Sequence, residues 1–297
     1  MNKTIFSGTC TAAITPFTED GIDFDALGRQ IEYQIENKVD ALCILGTTGE
    51  APTITDEEYE AVAKYSFDKI AGRVKFILGS GSNCTRKAIE KSQLAQKVGA
   101  DGLLVVTPYY NKCTQKGLVK YYNDVCNNVD IPVLCYNVPA RTGVNILPKT
   151  MAEIAEHKNI GGVKEACGNM EQIGETARLI RGKTALYSGD DNLNLAMLSI
   201  GSEGLISVAS NIAPKEVGDV YRLFTAGKNT EANLLQERLL PLIDIMFCEV
   251  NPIPVKKASE LIGLGKGILR APLTELEPYQ VEEMKKILTN FGLKIKG

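Results

Sequence analysis

Lys164 ends the apolar part of the run Ile160-Gly161-Gly162-Val163-Lys164-Glu165-Ala166, which reads as a buried strand. An ammonium is costly to bury, so a lysine here either reaches water by its flexible stem or has its pKa lowered. A lysine with a lowered pKa is part neutral amine near pH 7, which attack on a ketone to form a Schiff base requires. Other reactive groups follow further apolar runs. Gly46-Thr47-Thr48-Gly49-Glu50 offers hydroxyls and glycine-flanked backbone N–H groups that can hold a carboxylate. Thr107-Pro108-Tyr109-Tyr110 and Tyr136-Asn137-Val138-Pro139-Ala140-Arg141-Thr142-Gly143 add phenols and a guanidinium, and Ser188-Gly189-Asp190-Asp191 and Ile206-Ser207 follow. Taken singly, each has a plain reading as a turn, a packed aromatic or a surface charge.

The elements that must position these groups repeat. Short β-rich runs occur at 9–14, 41–45, 75–78, 102–106, 132–136, 160–163, 184–187 and 204–208, each followed by a loop and a helical pattern. After the first run, Phe24, Leu27, Ile31 and Ile35 make one apolar stripe. Thr55-Asp56-Glu57-Glu58 is a capping-box pattern opening a helix through Val62, Ala63 and Ile70. Thr85 opens the third helix, with Ile89 and Val98 expected to face inward, and Pro148 and Pro214 suit first helical turns. Eight βα units with nearly continuous apolar strands predict an α/β fold, a closed parallel (β/α)8 TIM barrel. The rival doubly wound sheet usually carries a Gly-rich phosphate loop after its first strand, where Thr15-Pro16-Phe17-Thr18 stands instead. Beyond about residue 225 no strand is apparent, and 231–246, 255–264 and 275–289 read as helices. The expected division is a catalytic barrel over 1–224 and a C-terminal helical appendage over 225–297. Reacting groups of such barrels gather at the carboxyl ends of the strands, so a lysine, tyrosines, a threonine pair and an arginine would share one rim.

Composition narrows the chemistry. The 297 residues carry a net charge of -3 with no basic cluster, which argues against a nucleic-acid partner. No cleavable apolar segment and no membrane-spanning run are apparent, so a cytoplasmic protein is expected. Eight cysteines, Cys10, Cys43, Cys84, Cys113, Cys126, Cys135, Cys167 and Cys248, include no C-x-x-C pair and read as reduced thiols; zinc is not expected. Cys10, Cys43 and Cys135 fall inside strand candidates, where cysteine acts as a small hydrophobe. His157 is the only histidine, read as a cation suited to the last turn of a helix. A His-rich metal site is therefore excluded, and acid–base work falls to Lys, Tyr, Asp or Glu.

At these residues the chain resembles the dihydrodipicolinate synthase (4-hydroxy-tetrahydrodipicolinate synthase) family of the pyruvate-dependent class I aldolase, or N-acetylneuraminate lyase, superfamily. The similar motifs are G-T-T-G-E at 46–50, T-P-Y-Y-N at 107–111, Y-N-V-P-x-R-T-G at 136–143, V-K-E-A at 163–166, S-G-D-D at 188–191 and N-P-I-P-V-K at 251–256. The resemblance implies that Lys164 forms an imine with pyruvate, whose enamine adds to L-aspartate semialdehyde, in lysine and diaminopimelate biosynthesis. It implies no metal or organic cofactor, since the protonated imine is the electron sink. It implies a proton relay of Tyr136, Thr47 and Tyr110, the last supplied by a neighbouring subunit of a homo-oligomer, usually a tetramer built as a dimer of dimers. Thr48, with Gly49 and nearby backbone N–H groups, would hold the pyruvate carboxylate, and Arg141 the semialdehyde carboxylate. Gly189 and Ile206 would help through their carbonyls. N-acetylneuraminate lyases and sugar-acid aldolases share the lysine and tyrosine but resemble Gly-Ser-Thr-Gly-Glu at the loop and generally lack the arginine, so Thr47 and Arg141 favour the synthase. A catalytically idle barrel would be signalled by loss of Lys164, Tyr136 or Thr47, all of which are present.

In lysine-inhibited members of that family, two histidines and a glutamate help line an effector pocket at a subunit interface. The matching positions here hold Asp56, Tyr59 and Lys87, while Asn83 and Tyr109 keep the pattern. The expectation is a pocket that does not respond to lysine.

Overall fold

The computed structural model describes residues 4–296. Strands β1 (Gly8–Ala12), β2 (Ala41–Ile44), β3 (Lys75–Gly79), β4 (Gly102–Val106), β5 (Val133–Asn137), β6 (Ile160–Glu165), β7 (Ala185–Ser188) and β8 (Gly204–Ser207) close into one barrel in chain order. The helices between them are α1 (Phe24–Glu36), α2 (Asp56–Ile70), α3 (Thr85–Val98), α4 (Gln115–Cys126), α5 (Pro139–Thr142), α6 (Pro148–Ile154), α7 (Met170–Ile180), α8 (Asn194–Ser199) and α9 (Pro214–Thr225). After them come only α10 (Asn229–Ile245), α11 (Ile253–Leu261) and α12 (Pro278–Phe291) among the described residues. This is the expected (β/α)8 barrel followed by a helical region. Its strands are covered on both faces, which is why they read as apolar runs without alternation. Each expected helix of the C-terminal region forms. The last one begins at Pro278 rather than 275, because a proline fits the first turn and its neighbour Glu277 closes a capping box with Gln280.

The chain groups into two compact units. One holds the residues up to Gly8 together with Lys75–Ile206. Its parallel pairing runs from β3 to β8, with Tyr136 opposite Lys164, and Lys164 opposite Tyr187. On α4, Tyr121 and Tyr122 meet edge to face at 5.1 Å. Their hydroxyls donate to the carbonyls of Ser82 (2.9 Å) and Val105 (3.0 Å), bonding carbonyls beside β3 and within β4. On α3 the buried face is Ala88, Ser92 and Ala95, while Ile89 and Val98, expected inside, are only half-buried. The helix turns its small side chains inward, and the Ser92 hydroxyl reaches Ser80 at 2.9 Å.

His157 departs from its expected role. It lies past α6, which ends at Ile154; its Nδ1 accepts from the Asn159 N–H (3.1 Å) and its Nε2 faces Asn127 Oδ1 (3.0 Å). An accepting nitrogen carries no proton, so the ring is a neutral brace for this turn. Burial, with Lys158 adjoining, lowers its pKa.

The other unit holds Thr9–Val74 and the chain from Ser207 onward. The capping box of α2 forms as expected: Thr55 Oγ1 accepts from the Glu58 N–H, and Glu58 accepts from the Thr55 N–H. Val62, Ala63 and Ile70 are buried along it. On α1, Leu27 and Ile31 enter the core, whereas Phe24 and Ile35 stay at its edge. Gln30 and Gln34 are buried in their place. Gln34 can be so because it accepts from Thr11 Oγ1 (2.7 Å) and donates to the Ser210 carbonyl (3.0 Å).

None of the eight cysteines is in a disulfide, and Cys10, Cys43 and Cys135 are fully buried in strands as expected. Among the described residues, no helix is long and apolar enough to cross a membrane, and no group of three or more His, Cys, Asp or Glu could hold a metal ion.

Candidate active site

Lys164 sits one residue from the end of β6 and is 5 % exposed, so its stem is not free in water. Partners in parallel register point to the same side of a sheet, which puts Tyr136, Lys164 and Tyr187 in one row. The Lys164 Nζ lies 4.2 Å from the centroid of the Tyr136 ring. Gly189, just past β7, makes room for that stem: a Cβ there would come within 2.9 Å of Lys164 Cε. Its N–H donates to the Glu165 carbonyl at 2.8 Å, which fixes the position of its own carbonyl. Two residues before Lys164 on the same face, Gly162 admits the Tyr187 ring, whose Cε2 would lie 2.9 Å from a Cβ. That ring stacks on Phe6 at 4.5 Å, and its hydroxyl donates to the Phe6 carbonyl at 2.7 Å. The lysine therefore has one tyrosine against its amine and shares its face of the sheet with the buried Tyr187.

The opposite face of β6 carries Glu165, 1 % exposed. Its carboxylate accepts from Asn137 Nδ2 (2.9 and 3.1 Å) and from the Cys167 N–H (3.0 Å). Burial raises the Glu165 pKa, and these bonds oppose the rise. Asn137 also accepts from the Ile146 N–H (2.9 Å) and bonds Asn145 Oδ1 (2.9 Å), and Asn145 donates to Gln172 (2.7 Å). The network pins both ends of the loop carrying Arg141, which is exposed on α5. Ile206 is 1 % exposed within β8.

After β4 the backbone turns sharply. Tyr110 has φ 68°, a left-handed conformation rare for a residue with a Cβ, and the residue is 91 % exposed. Tyr109 is half-buried, and its carbonyl accepts from the Asn111 N–H. Asn111 Nδ2 in turn donates to the Asn83 carbonyl at 3.0 Å, which joins the Tyr109 turn to the approach of α3, where Lys87 is exposed.

In the second unit, the loop after β2 is wound tight by the Gly49 N–H on the Gly46 carbonyl (3.1 Å) and the Glu50 N–H on the Thr47 carbonyl (3.0 Å). Thr47 is half-buried and Thr48 is 3 % exposed. Asn251 Nδ2 donates to Thr48 Oγ1 at 3.0 Å, and Thr15 Oγ1 donates to the Gly49 carbonyl at 2.8 Å. Glu50 is buried against Lys256, Nζ to Oε1 2.5 Å, and its second oxygen accepts from the Arg270 N–H at 3.1 Å. The Lys256 ammonium and the Arg270 guanidinium both lie against the Phe17 ring, at 3.9 and 4.2 Å. Burial pulls the Lys256 pKa down to about 8, against the upward pull of Glu50. Asp56 is exposed at the first turn of α2, whereas Tyr59 is 1 % exposed and turned into the core.

Sequence reading placed the reactive groups on strand ends but assigned no work to Glu50, Asn251, Lys256, Asn137 or Glu165. The local signal was a lysine directly after the apolar run Ile253-Pro254-Val255, which marks Lys256 as a candidate for burial without naming its partner.

A profile described as the Dihydrodipicolinate synthetase family matches residues 5–291. The 4-hydroxy-tetrahydrodipicolinate synthase of Clostridium tetani is 46 % identical over 290 residues, covering 97 % of this chain and 99 % of its own. A monomeric dihydrodipicolinate synthase variant superposes with a TM-score of 0.96 at 40 % identity, covering 97 % and 98 % of the two chains. The chloride-inhibited dihydrodipicolinate synthase of Acinetobacter baumannii, solved with pyruvate, gives 0.95 at 39 % identity over 97 % and 99 %. On fold, motifs and likeness along nearly its whole length, the chain belongs to the dihydrodipicolinate synthetase family.

Proposed function

We propose that this protein is a 4-hydroxy-tetrahydrodipicolinate synthase, which condenses pyruvate with L-aspartate 4-semialdehyde. Lys164 Nζ attacks the pyruvate ketone, and loss of one water leaves a protonated imine. Removal of a methyl proton gives the enamine, whose carbon adds to the aldehyde. The amino group of the semialdehyde then displaces Lys164 as the ring closes, which frees the lysine for another turnover. The observation that carries this reading is the buried Lys164 amine against the Tyr136 ring on the neighbouring strand. Tyr136 takes the central place in proton transfer, with Thr47 and Tyr110 as its relay. A phenol with an ordinary pKa near 10 is a weak base alone, and a chain of hydroxyls lets the proton move without a free phenolate. Thr48 and Gly49 hold the pyruvate carboxylate, Arg141 the semialdehyde carboxylate through its planar fork, and Gly189 and Ile206 assist through their carbonyls. The left-handed, exposed Tyr110 supports its assignment to a neighbouring subunit, and hence a homo-oligomer built as a dimer of dimers. We place the enzyme in the cytoplasm, with the helical region from 225 onward as an appendage to the catalytic barrel.

Borohydride reduction in the presence of pyruvate tests the chemistry. The peptide carrying Lys164 should gain a reduced pyruvyl group, and labelling of another lysine overturns the assignment. Offering pyruvate with L-aspartate semialdehyde, and separately with N-acetylmannosamine, tests the acceptor. Faster turnover with the sugar would move the protein to the N-acetylneuraminate lyase branch.

A further inference from the structure

A bond between residues far apart in the chain decides what the Thr48 hydroxyl can do. Thr48 and Asn251 are 3 % and 6 % exposed, and Asn251 Nδ2 donates to Thr48 Oγ1 at 3.0 Å. A hydroxyl has one proton to give and two lone pairs to accept with. With the amide N–H on a lone pair, the proton must be directed elsewhere, and the group becomes a donor suited to an anion. A carboxylate in place of the amide would do the reverse, drawing the Thr48 proton to itself.

The same two segments are tied a second time. Glu50 lies two residues after Thr48 and Lys256 five after Asn251, and these two form a buried ion pair. Lys256 begins the hydrogen bonding of α11, its N–H donating to the Pro252 carbonyl at 3.0 Å, so the pair fixes the turn on which Asn251 sits. Arg270 holds the remaining Glu50 oxygen through its backbone, and Phe17 closes the side of the Lys256 ammonium. Two bonds between two short segments leave the loop little freedom to rotate about either one.

We propose that Asn251 is a positioning residue that fixes the Thr48 hydroxyl as a hydrogen-bond donor toward the carboxylate of the keto acid, with the Glu50–Lys256 pair holding Asn251 and Thr48 together. The inference rests on the reading that Thr48 holds the pyruvate carboxylate. It separates two properties of the site: recognition of the acid group depends on Asn251, and the amine chemistry at Lys164 does not.

The experiment is borohydride trapping on the full chain with two ketones, pyruvate and acetone, the second having no carboxylate. Asn251→Asp should raise the half-saturating pyruvate concentration by about tenfold to a hundredfold, the worth of one hydrogen bond to a charged group. Acetone trapping should stay within about twofold, since no bond to an acid is involved. Asn251→Ala, which frees the hydroxyl without reversing it, should raise the pyruvate concentration by only about threefold to tenfold, and it decides the matter should the acidic variant not fold. Equal losses with both ketones, or unchanged pyruvate dependence in both variants, would overturn the proposal while leaving the aldolase reading in place. A wild-type chain that forms no pyruvyl adduct overturns that reading and this inference with it.

Discussion

Lys164 and Tyr136 are register partners on adjacent parallel strands, and the lysine nitrogen rests 4.2 Å from the centre of the tyrosine ring. Neither residue depends on a loop for its position. Both are fixed by strand pairing, with Gly189 leaving space for the lysine stem. A group held this way needs little rearrangement before it reacts, which is what precise proton transfer requires.

Replacing Tyr136 by Phe keeps the ring against Lys164 and removes the transferable proton. We expect kcat to fall about a hundredfold to ten-thousandfold, the usual range for a general acid–base group. Melting temperature should hardly move, because the packed atoms remain. Near-normal turnover in steady-state assays would remove Tyr136 from the relay.

Glu50 and Lys256 should behave as one unit. Lys256→Met strands a carboxylate that is 2 % exposed, and breaking a buried pair this way costs about 3–5 kcal/mol. Adding Glu50→Gln removes the stranded charge and keeps an acceptor for the Arg270 N–H. Urea unfolding should therefore find the double variant more stable than Lys256→Met alone. If the two losses simply add, the pair is not coupled as its geometry requires.

His157 offers a clean test of pH dependence, being the only histidine. Its folded pKa is lowered from 6.5 by burial and by Lys158, so the unfolded chain takes up the proton first as pH falls. Stability from this group is present above about pH 6.5 and is lost as pH drops through the folded value. Its ring resonances should titrate below 6.5 in a proton NMR series, and His157→Gln should flatten the fall in stability over that window. A ring titrating above 6.5 would restore the helix-dipole reading.

Exposure of Tyr110 makes sense if it completes the site of another copy. Tyr110→Phe and Lys164→Ala subunits, each impaired alone, should regain activity when mixed, because a hybrid dimer holds one site with both native residues. Mixtures no more active than their components would confine Tyr110 to its own chain.

How much of this was legible in the sequence follows from what each feature depends on. Lys164, Tyr136 and Gly189 could be placed from local signals, since an apolar run announces a strand and the polar residues at its end announce the rim. The capping box of α2 is equally local. The pairings of the buried polar residues were not legible. Lys256 meets Glu50 across 206 positions and Gln34 meets Thr11 across a strand–helix interface, and no periodicity encodes such meetings. The same limit explains α3, where an apolar count pointed to Ile89 and Val98 while close approach selected Ala88, Ser92 and Ala95. His157 failed for a finer reason: α6 stops at Ile154, and three residues separate a helix dipole from a turn.

The residues that the resemblance assigns to a lysine pocket lead to the last prediction. Lys87 is exposed at the start of α3, near Asn83, whose carbonyl is tied through Asn111 to the Tyr109 turn. It stands where lysine-sensitive relatives are expected to have a glutamate, so an effector ammonium would meet a like charge. Like charges at contact distance cost on the order of a kcal/mol even in a wet site, and the lost charge-assisted bond adds about 1.5–3 kcal/mol. Tyr59, at a position expected to hold a histidine, is buried and offers its ring to the core. Asp56 could attract an ammonium, but it opens α2, where the helix dipole accounts for it. Lysine affinity should be weaker by roughly a hundredfold or more than in sensitive relatives. Titrating L-lysine into the condensation assay decides the matter, since half-inhibition below about a millimolar would require binding of roughly 4 kcal/mol and would show that Lys87 does not block the pocket. Lys87→Glu should then shift the inhibition curve to lower lysine, by removing the like charge and supplying its opposite.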